Sequence, residues 1–439
     1  MLNFLKKILI ISICFFSTYV YSLNPSSYLI ANTAVNFYDF KIANNHFLSL
    51  DAELIEKALF NKLLTSVNLK LILEANNVAE KILEINKSNQ EAWIVRLTYA
   101  KIKNDLEIFN EYNKIEDKSE MELLNFVFYS DNNKLKKNKI IAKSVLKLVY
   151  ASIDEKIEQA NYKFLLFYLS IANILDPELS EAYFYTAKIH QILKNYSQSD
   201  FFYNKINSDH VLFVESQKNI AINKYHNGLF AESKKLLKEL ISKHGDSGNL
   251  SMILADLYRY DKKYEIAIEL YTNLINLNNK LSDNYSKIFY LRGICYERLG
   301  KWNLAEKDFL HSLDIYPNSP EVLNYLAYGW LEKNINFDMA FKMLNKAYTA
   351  NPTSYHILDS LAWAYFKKNQ LEEAVELMEE VIIMAPGESI SLDHLADIYY
   401  ALNRKREAWF FWKQALDLAE PEDILTDKLK KKINNYNAG

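Results

Sequence analysis

Apolar and small residues recur in a fixed order about every 34 residues along most of the chain. In the clearest unit, which covers residues 286–318, they occupy positions 4, 8, 11, 15, 17, 20, 24 and 32: Phe289, Gly293, Tyr296, Gly300, Trp302, Ala305, Phe309 and Pro317. Steps of three and four residues within each half of the unit line one face of a helix. The pattern therefore predicts two helices per unit, with the proline ending the second helix.

The same positions hold small residues and prolines in neighbouring units. Ala187, Ala221 and Ala255 stand 34 residues apart at position 8, and Pro352 and Pro386 share the closing position. Small residues at positions 8 and 20 let the two helices of a hairpin cross closely, whereas larger side chains would push them apart. One hairpin cannot bury its apolar face alone, so the units must stack into a shared core.

The composition of the N-terminus and the repeat spacing together divide the chain into four parts. They are a predicted signal peptide at 1–22, a degenerate N-terminal arm at 23–145, the main array at 146–420, and a capping helix with its tail at 421–439. Within these parts, units begin near Ser180, Val214, Gly248, Ser286, Pro320, Tyr355 and Ser389. Residues 110–145 lack the pattern, and either a degenerate repeat or a break between two arms would account for them.

This order of large, small and aromatic residues with a closing proline resembles the tetratricopeptide repeat family. The resemblance implies an all-α fold of helical hairpins stacked in a right-handed superhelical solenoid. The runs Leu358–Tyr365 and Asp393–Asp397, with Tyr28–Ala31, are similar to proteobacterial envelope proteins built almost wholly of such repeats. Some of those relatives are lipid-anchored adaptors for a carboxyl-terminal processing protease, although this chain has no lipobox around Cys14.

The N-terminus has the composition of a secretory signal peptide. Lys6 and Lys7 precede an apolar run at residues 8–16, and Val20 and Ser22 suit cleavage after Ser22. We therefore expect an exported protein, located in the periplasm or otherwise associated with the envelope. The alternative is a retained membrane anchor, although the apolar stretch is shorter than the roughly 20 residues that a spanning helix needs.

Composition narrows the classes of partner. Half of the residues are hydrophobic, and 8 glycines and 7 prolines leave little turn chemistry for an all-β fold. Removal of residues 1–22 takes away two lysines and no acids, which moves the formal charge from −3 to −5. Because nucleic-acid binding needs a clustered basic surface, we expect proteins or extended peptide segments as partners, and no nucleic acid.

The first helix of each unit has a second stripe, at positions 5, 9 and 12. In tetratricopeptide proteins this stripe lines a concave groove. At positions 5 and 9 of the last four units the predicted partner-binding residues are mainly aromatic and acidic: Tyr290, Ile294, Asn324, Tyr328, Asp359, Trp363, Asp393 and Asp397. Aromatic residues with a few polar groups suit peptide capture, and the acids favour a basic or neutral segment. The alternative is that these residues only stiffen or solvate the stack.

No motif for catalysis, a cofactor or a metal stands out. The chain has no His-Glu-x-x-His zinc signature, no phosphate-binding glycine loop and no nucleophile elbow. The pairs His356/Asp359 and His394/Asp397 each have a spacing that would suit two ligands on one helix face. Packed helices lie about 8–10 Å apart, so we expect these pairs to be too distant to share a metal. We therefore predict no catalytic residue, no cofactor and no metal.

Three functions remain open at this point. A non-catalytic scaffold of the cell envelope accounts for the repeats and the signal peptide together. An accessory subunit of an envelope enzyme complex, such as an adaptor for a processing protease, fits equally well, because repeats specify a surface and not a reaction. An RNA-binding helical repeat protein is the third, and the acidic charge and the closing prolines disfavour it.

Overall fold

The fold is helical throughout the part of the chain that the structure describes. The computed structural model describes residues 25–50, 56–115, 122–130, 135–153, 161–245, 248–277, 284–419 and 424–437. Within these ranges strand-like pairing is limited to one isolated antiparallel bridge, between Tyr129 and Leu135. The predicted all-α class of stacked helical hairpins is therefore confirmed, whereas the predicted signal peptide lies outside the described residues.

The chain divides into two compact units, residues 1–236 and residues 237–439. The first unit contains α1 (Pro25–Asn36), α2 (Phe40–Leu48), α3 (Glu56–Asn68), α4 (Ile72–Ile85), α5 (Gln90–Lys103), α6 (Leu106–Asn113), α7 (Glu122–Phe128), α8 (Asn138–Ile153), α9 (Tyr162–Leu175), α10 (Ser180–Ile192), α11 (Tyr196–Tyr203) and α12 (Phe213–His226). Helix α13 (Phe230–His244) crosses the boundary. The second unit contains α14 (Asn249–Tyr260), α15 (Tyr264–Leu277), α16 (Asn284–Arg298), α17 (Trp302–Ile315), α18 (Pro320–Glu332), α19 (Phe337–Ala350), α20 (Tyr355–Lys367), α21 (Leu371–Met384), α22 (Ser389–Ala401), α23 (Lys405–Leu418) and α24 (Ile424–Asn437).

The hairpins turn on a residue in the left-handed backbone region at position 15. Gly300 has a φ of 70°, and Asn334 and Asn369 have φ values of 55° and 58°. The equivalent residues of other hairpins share this conformation: Lys70, Asn104, Lys194, Gly228, Lys262 and Asn403. A left-handed residue after the last turn of a helix bonds its final carbonyls and reverses the chain, so the second helix packs back on the first.

Small residues permit close helix crossings, as the repeat pattern predicts. A Cβ atom on Gly293 would lie 2.7 Å from the ring of Phe309, so glycine is needed for the crossing of α16 with α17. Gly329, which the pattern did not single out, has the same role between hairpins. A Cβ atom there would lie 2.0 Å from the ring of Trp302, which reaches across from α17. The packing around Phe309 and Trp302 thus depends on the absence of a side chain at Gly293 and Gly329.

Candidate functional site

The predicted groove belongs to α16, α18, α20 and α22, the first helices of the last four hairpins of the second unit. Side chains two hairpins apart meet on this face, because the hydroxyl of Tyr328 on α18 lies 3.5 Å from Nε2 of His394 on α22. A contact that skips the intervening hairpin requires the face to lie on the inside of a curve. We call it the concave face.

Most of the predicted partner-binding residues form the floor of the concave face and are covered by the chain itself. Five of them are buried, namely Ile294, Asn324, Asp359, Trp363 and Asp393. The other three, Tyr290, Tyr328 and Asp397, are partly exposed. All eight lie on the first helices α16, α18, α20 and α22. Their part in binding a partner stays a prediction.

Asp359 and His394 form the centre of the floor. Nδ1 of His394 lies 2.8 Å from Oδ1 of Asp359, and the hydroxyl of Ser391 donates to the other oxygen of the same carboxylate. This bond joins α20 to α22. The spacing of packed first helices therefore does not keep these two side chains apart, whereas the absence of a shared metal stays a prediction.

Trp363 covers the His394 ring. The two rings stack with centroids 4.0 Å apart and an interplanar angle of 18°. The indole Nε1 donates to Glu332 on α18 at 2.8 Å, and the ammonium of Lys367 lies 5.2 Å from the centre of the indole. The tryptophan is only 6% exposed, so it presents little of its surface to a partner. It ties three consecutive hairpins together instead.

Lys432 on the final helix, α24, contacts the floor acids of the last hairpin. Its ammonium donates to Asp393 at 2.6 Å and to both carboxylate oxygens of Asp397 at 2.7 Å. Asp397 also accepts from the indole Nε1 of Trp412 at 2.9 Å. The predicted capping helix therefore supplies a cation to two of the predicted groove acids. No feature of the repeat pattern indicated this, because α24 follows the last full unit.

The local charges shift the pKa values of two floor residues. Burial by itself lowers the pKa of His394, but Asp359, together with Asp393 and Asp397, outweighs this effect, and the pKa rises above its ordinary 6.5. Burial and the neighbouring Asp393 raise the pKa of Asp397, against the opposing effect of Lys432. Both shifts favour uptake of a proton, which would reduce the net negative charge of this region.

Exposed side chains border the floor in two rows, which we call the outer rows. One row, at position 2, holds Lys287, Glu321, His356 and Ile390. The other, at positions 12 and 13, holds Glu297, Arg298, Glu332, Lys367 and Tyr400. Positions 2, 12 and 13 belong to the same helical stripe as positions 5 and 9, so the repeat pattern alone places their side chains on this face. The predicted partner-binding residues are confined to positions 5 and 9 and therefore do not include the outer rows.

The corresponding face in the first unit is filled by one of its own helices. Helix α9 packs against α3 and α5, which are first helices of earlier hairpins. The ring of Phe164 lies 5.6 Å from that of Phe60, and the hydroxyl of Ser170 donates to Asn68 at 3.1 Å. Phe60 and Asn68 hold positions 5 and 13 of their repeat, which on α18 and α20 belong to the floor and the outer rows.

The described residues show no arrangement suited to a metal ion or a reactive thiol. No group of three or more histidine, cysteine, aspartate or glutamate side chains among them is placed to hold a metal. Cys295 is fully buried, and its burial raises the pKa of the thiol to about 12. Among the same residues no helix is both long and apolar enough to cross a membrane.

Known proteins resemble this chain in sequence locally and in fold more broadly. The family model described as Tetratricopeptide repeat matches residues 356–385, which span α20 and α21. A tetratricopeptide repeat protein from Parabacteroides merdae is similar at 17% identity and a TM-score of 0.46, over 59% of this chain and 98% of that chain. The Cut9–Hcn1 hetero-tetramer of the APC/C is similar at 15% identity and a TM-score of 0.48, over 93% of this chain and 83% of that chain. Yeast Tom70 is similar at 13% identity and a TM-score of 0.38, over 94% of this chain and 95% of that chain.

The family match and the hairpin geometry agree at the same place. Residues 356–385 include the buried crossing residues Ala362 and Ala374, which stand at positions 8 and 20. The turn between them is made by Asn369 in the left-handed region, as in the neighbouring hairpins. Residues 356–385 are therefore a tetratricopeptide repeat, set within an array of hairpins of the same kind.

Proposed function

We propose that this protein is a non-catalytic scaffold of the cell envelope that holds partner proteins or extended peptide segments. The observation that carries the proposal is the array of stacked hairpins with a tetratricopeptide repeat at residues 356–385. An array of this kind presents an extended surface whose side chains vary from repeat to repeat, which suits protein binding. The envelope location rests on the signal peptide predicted at residues 1–22.

Partners bind, in this proposal, along the outer rows rather than into the floor. The carboxylates of Asp393 and Asp397 already bond Lys432, and that of Asp359 bonds His394 and Ser391. A ligand would have to break these buried contacts to use them, and breaking a buried pair is costly. In the outer rows Glu332 accepts a hydrogen bond from Trp363, whereas the exposed Lys287 and Glu321 can be reached without breaking a buried charge pair.

The charge preference of the partner then depends on the outer rows. Their exposed or partly exposed acids are Glu297, Glu321 and Glu332, and Glu332 is also engaged by Trp363. Glu297 and Glu321 lie on neighbouring first helices, α16 and α18. A basic or neutral extended segment that crosses these helices would place its cations beside both carboxylates. Ile390 and Tyr400, both exposed on α22, would contact apolar groups of the same segment.

Reversal of charge in the outer rows should weaken partner binding and leave the fold intact. We expect the double variant Glu297→Lys with Glu321→Lys to weaken binding by about 1 kcal/mol for each lost ion pair, mainly through a slower association rate. Its melting temperature should change little, since exposed substitutions usually alter stability by about 0.5 kcal/mol or less. Affinity capture from native envelope fractions, quantified by mass spectrometry, measures the binding.

A matched control changes the same charges elsewhere. Glu376 and Glu380 are exposed on the second helix α21, away from the concave face. We expect the variant Glu376→Lys with Glu380→Lys to capture the same partners as the wild type. Equal capture by both double variants would rule out the outer rows as the docking surface.

Export should leave a mature protein that begins at Leu23. Cleavage after Ser22 follows from the charged start, the short apolar run and the small residues at its end. N-terminal peptide mass spectrometry of fractionated native cells measures this directly. Recovery of peptides from residues 1–22 in the membrane fraction would instead support a retained anchor.

A further inference from the structure

Four helices of the second unit contribute to one buried polar cluster around His394. Helix α18 provides Tyr328, α20 provides Asp359, α22 provides His394 itself and α24 provides Lys432. His394 is 5% exposed and Asp359 is 7% exposed, so water does not screen their interaction effectively. A cluster of this kind is stable only if its charges are balanced.

The carboxylates of the cluster outnumber its permanent cation. Asp359, Asp393 and Asp397 are the three acids, while Lys432 bonds two of them and does not bond Asp359. The side chain that faces Asp359 is His394, at 2.8 Å. If the imidazole carried its proton, it would give Asp359 the counter-charge that Lys432 gives the other two.

Both nitrogens of the His394 ring face oxygen atoms. Nδ1 faces the Asp359 carboxylate, and Nε2 faces the Tyr328 hydroxyl at 3.5 Å. An imidazolium would donate to both oxygens, whereas a neutral ring would donate to Asp359, accept from Tyr328 and leave the Asp359 carboxylate without a counter-charge. We infer that His394 is a buried proton-binding site that ties α18, α20 and α22 together, so that the C-terminal hairpins loosen when it loses its proton.

The other charged groups near His394 have a net effect that also favours its protonated form. Glu332 on α18 and the three carboxylates on α20 and α22 favour the protonated ring, while Lys432 on α24 and Lys367, which lies over Trp363, oppose it. The pKa of His394 is raised overall. A group whose pKa is higher in the folded chain than in the unfolded chain stabilises the fold below its unfolded value, and this contribution is lost as the pH rises through the folded value.

The first unit contains a histidine with the opposite behaviour. His190 stacks on Phe202, and its Nδ1 has no hydrogen-bond partner among the described residues. Burial without a neighbouring carboxylate lowers the pKa of His190 to about 4. The contribution of His190 to the free energy of unfolding is therefore lost as the pH falls below about 6.5. There the histidine of an unfolded chain takes up a proton, whereas the buried ring does not. The contributions of these two histidines to stability should therefore change with pH in opposite directions.

Histidine titration in the full chain tests the inference. The chain has eight histidines, whose ring Cε1–H resonances can be followed by NMR after isotope labelling. We expect the resonance that is missing from His394→Gln to titrate above the ordinary histidine value of about 6.5. A His394 midpoint at or below about 6.5 would overturn the inference.

A second variant keeps the test decisive if His394→Gln does not fold. Asp359→Asn retains the shape of the side chain but removes the negative charge nearest His394. We expect one histidine resonance, which titrates above about 6.5 in the wild type, to move to a lower midpoint in this variant. If no midpoint moves, Asp359 does not hold a proton on His394 and the inference fails.

Hydrogen exchange measures the structural consequence. After correction for the pH dependence of intrinsic exchange, amides of residues 389–401 and 424–437 should be less protected at a pH above the His394 midpoint measured by NMR than at a pH below it. In His394→Gln the corrected protection should be the same at both values. Equal protection at both values in the wild type would contradict the proposed loosening.

Discussion

Replacing Phe309 by alanine should lower the free energy of unfolding of the second unit by about 3–5 kcal/mol. The ring is fully buried and lies where a Cβ atom on Gly293 would collide with it. Tyr290 and Tyr325 surround it with ring centroids at 6.2 and 6.1 Å. Because these neighbours belong to two hairpins, their backbones cannot collapse into the space without separating the helices. Chemical denaturation followed by circular dichroism measures the change.

The neighbouring residue provides the control for this cavity. Leu310 follows Phe309 on the same helix and is 43% exposed. We expect Leu310→Ala to cost about 1 kcal/mol or less, since little apolar surface leaves contact with other residues. If the two alanine variants lose equal stability, the position-24 residue is not the centre of the hairpin core.

Replacing Asp359 by alanine should cost about 3–5 kcal/mol, because it leaves a buried partner without its counter-charge. The side chains of Asp359 and His394 are 9% and 7% exposed, and the hydroxyl of Ser391 loses its acceptor as well. The loss should be larger below the raised pKa of His394 than above it, since the histidine can become neutral when the pH rises. Thermal melts of the wild type and the variant at several pH values measure both effects.

An exposed ion pair of the same unit is the control. Asp338 has a side chain that is 93% exposed and lies 3.7 Å from Lys368. We expect Asp338→Ala to leave the melting temperature almost unchanged at every pH, because solvent screens such pairs. A loss for Asp359→Ala as small as that for Asp338→Ala would show that the floor cluster does not stabilise the array.

The fold could be predicted because each hairpin repeats the same local rules. Phe309 and Ala305 stand at fixed positions of the repeat. Their sizes alone indicate that the first fills the hairpin core and that the second permits the two helices to cross closely. Gly300 marks a turn that asparagine or lysine makes in other hairpins, as at Asn369 and Lys262. Each rule concerns contacts within one repeat or between neighbouring repeats, so it can be recognised from the 34-residue period.

The burial of the floor could not be predicted from the same rules. Asp359 and Trp363 are covered by residues on other hairpins, and the polar character of Asp359 suggested exposure. The contact between Tyr328 and His394 spans 66 residues and depends on how sharply the array curves. Curvature is the sum of small rotations between hairpins, and no single residue type indicates its amount. Lys432 lies beyond the last full repeat and has no equivalent in other units.

The packing of the first unit illustrates the same limit. Helix α9 is apolar over most of its length, which the sequence shows, but its contacts reach back 77 residues along the chain to Glu91 on α5 and 102 residues to Asn68 on α3. The hydrogen bond from Ser170 to Asn68 is an example. A repeat pattern describes contacts between neighbouring hairpins. It does not indicate when a later helix occupies the face of earlier ones.

Site-specific photo-crosslinking tests the central claim that partners dock on the concave face. A photoreactive amino acid would replace Lys287 or Glu321 in the outer rows, or Glu376 on the second helix α21, in the full chain in native cells. The proposal predicts crosslinked partner peptides from positions 287 and 321, competed by excess wild-type protein, and none from position 376. Crosslinks from position 376 alone would contradict the claim and place docking on the opposite side of the array.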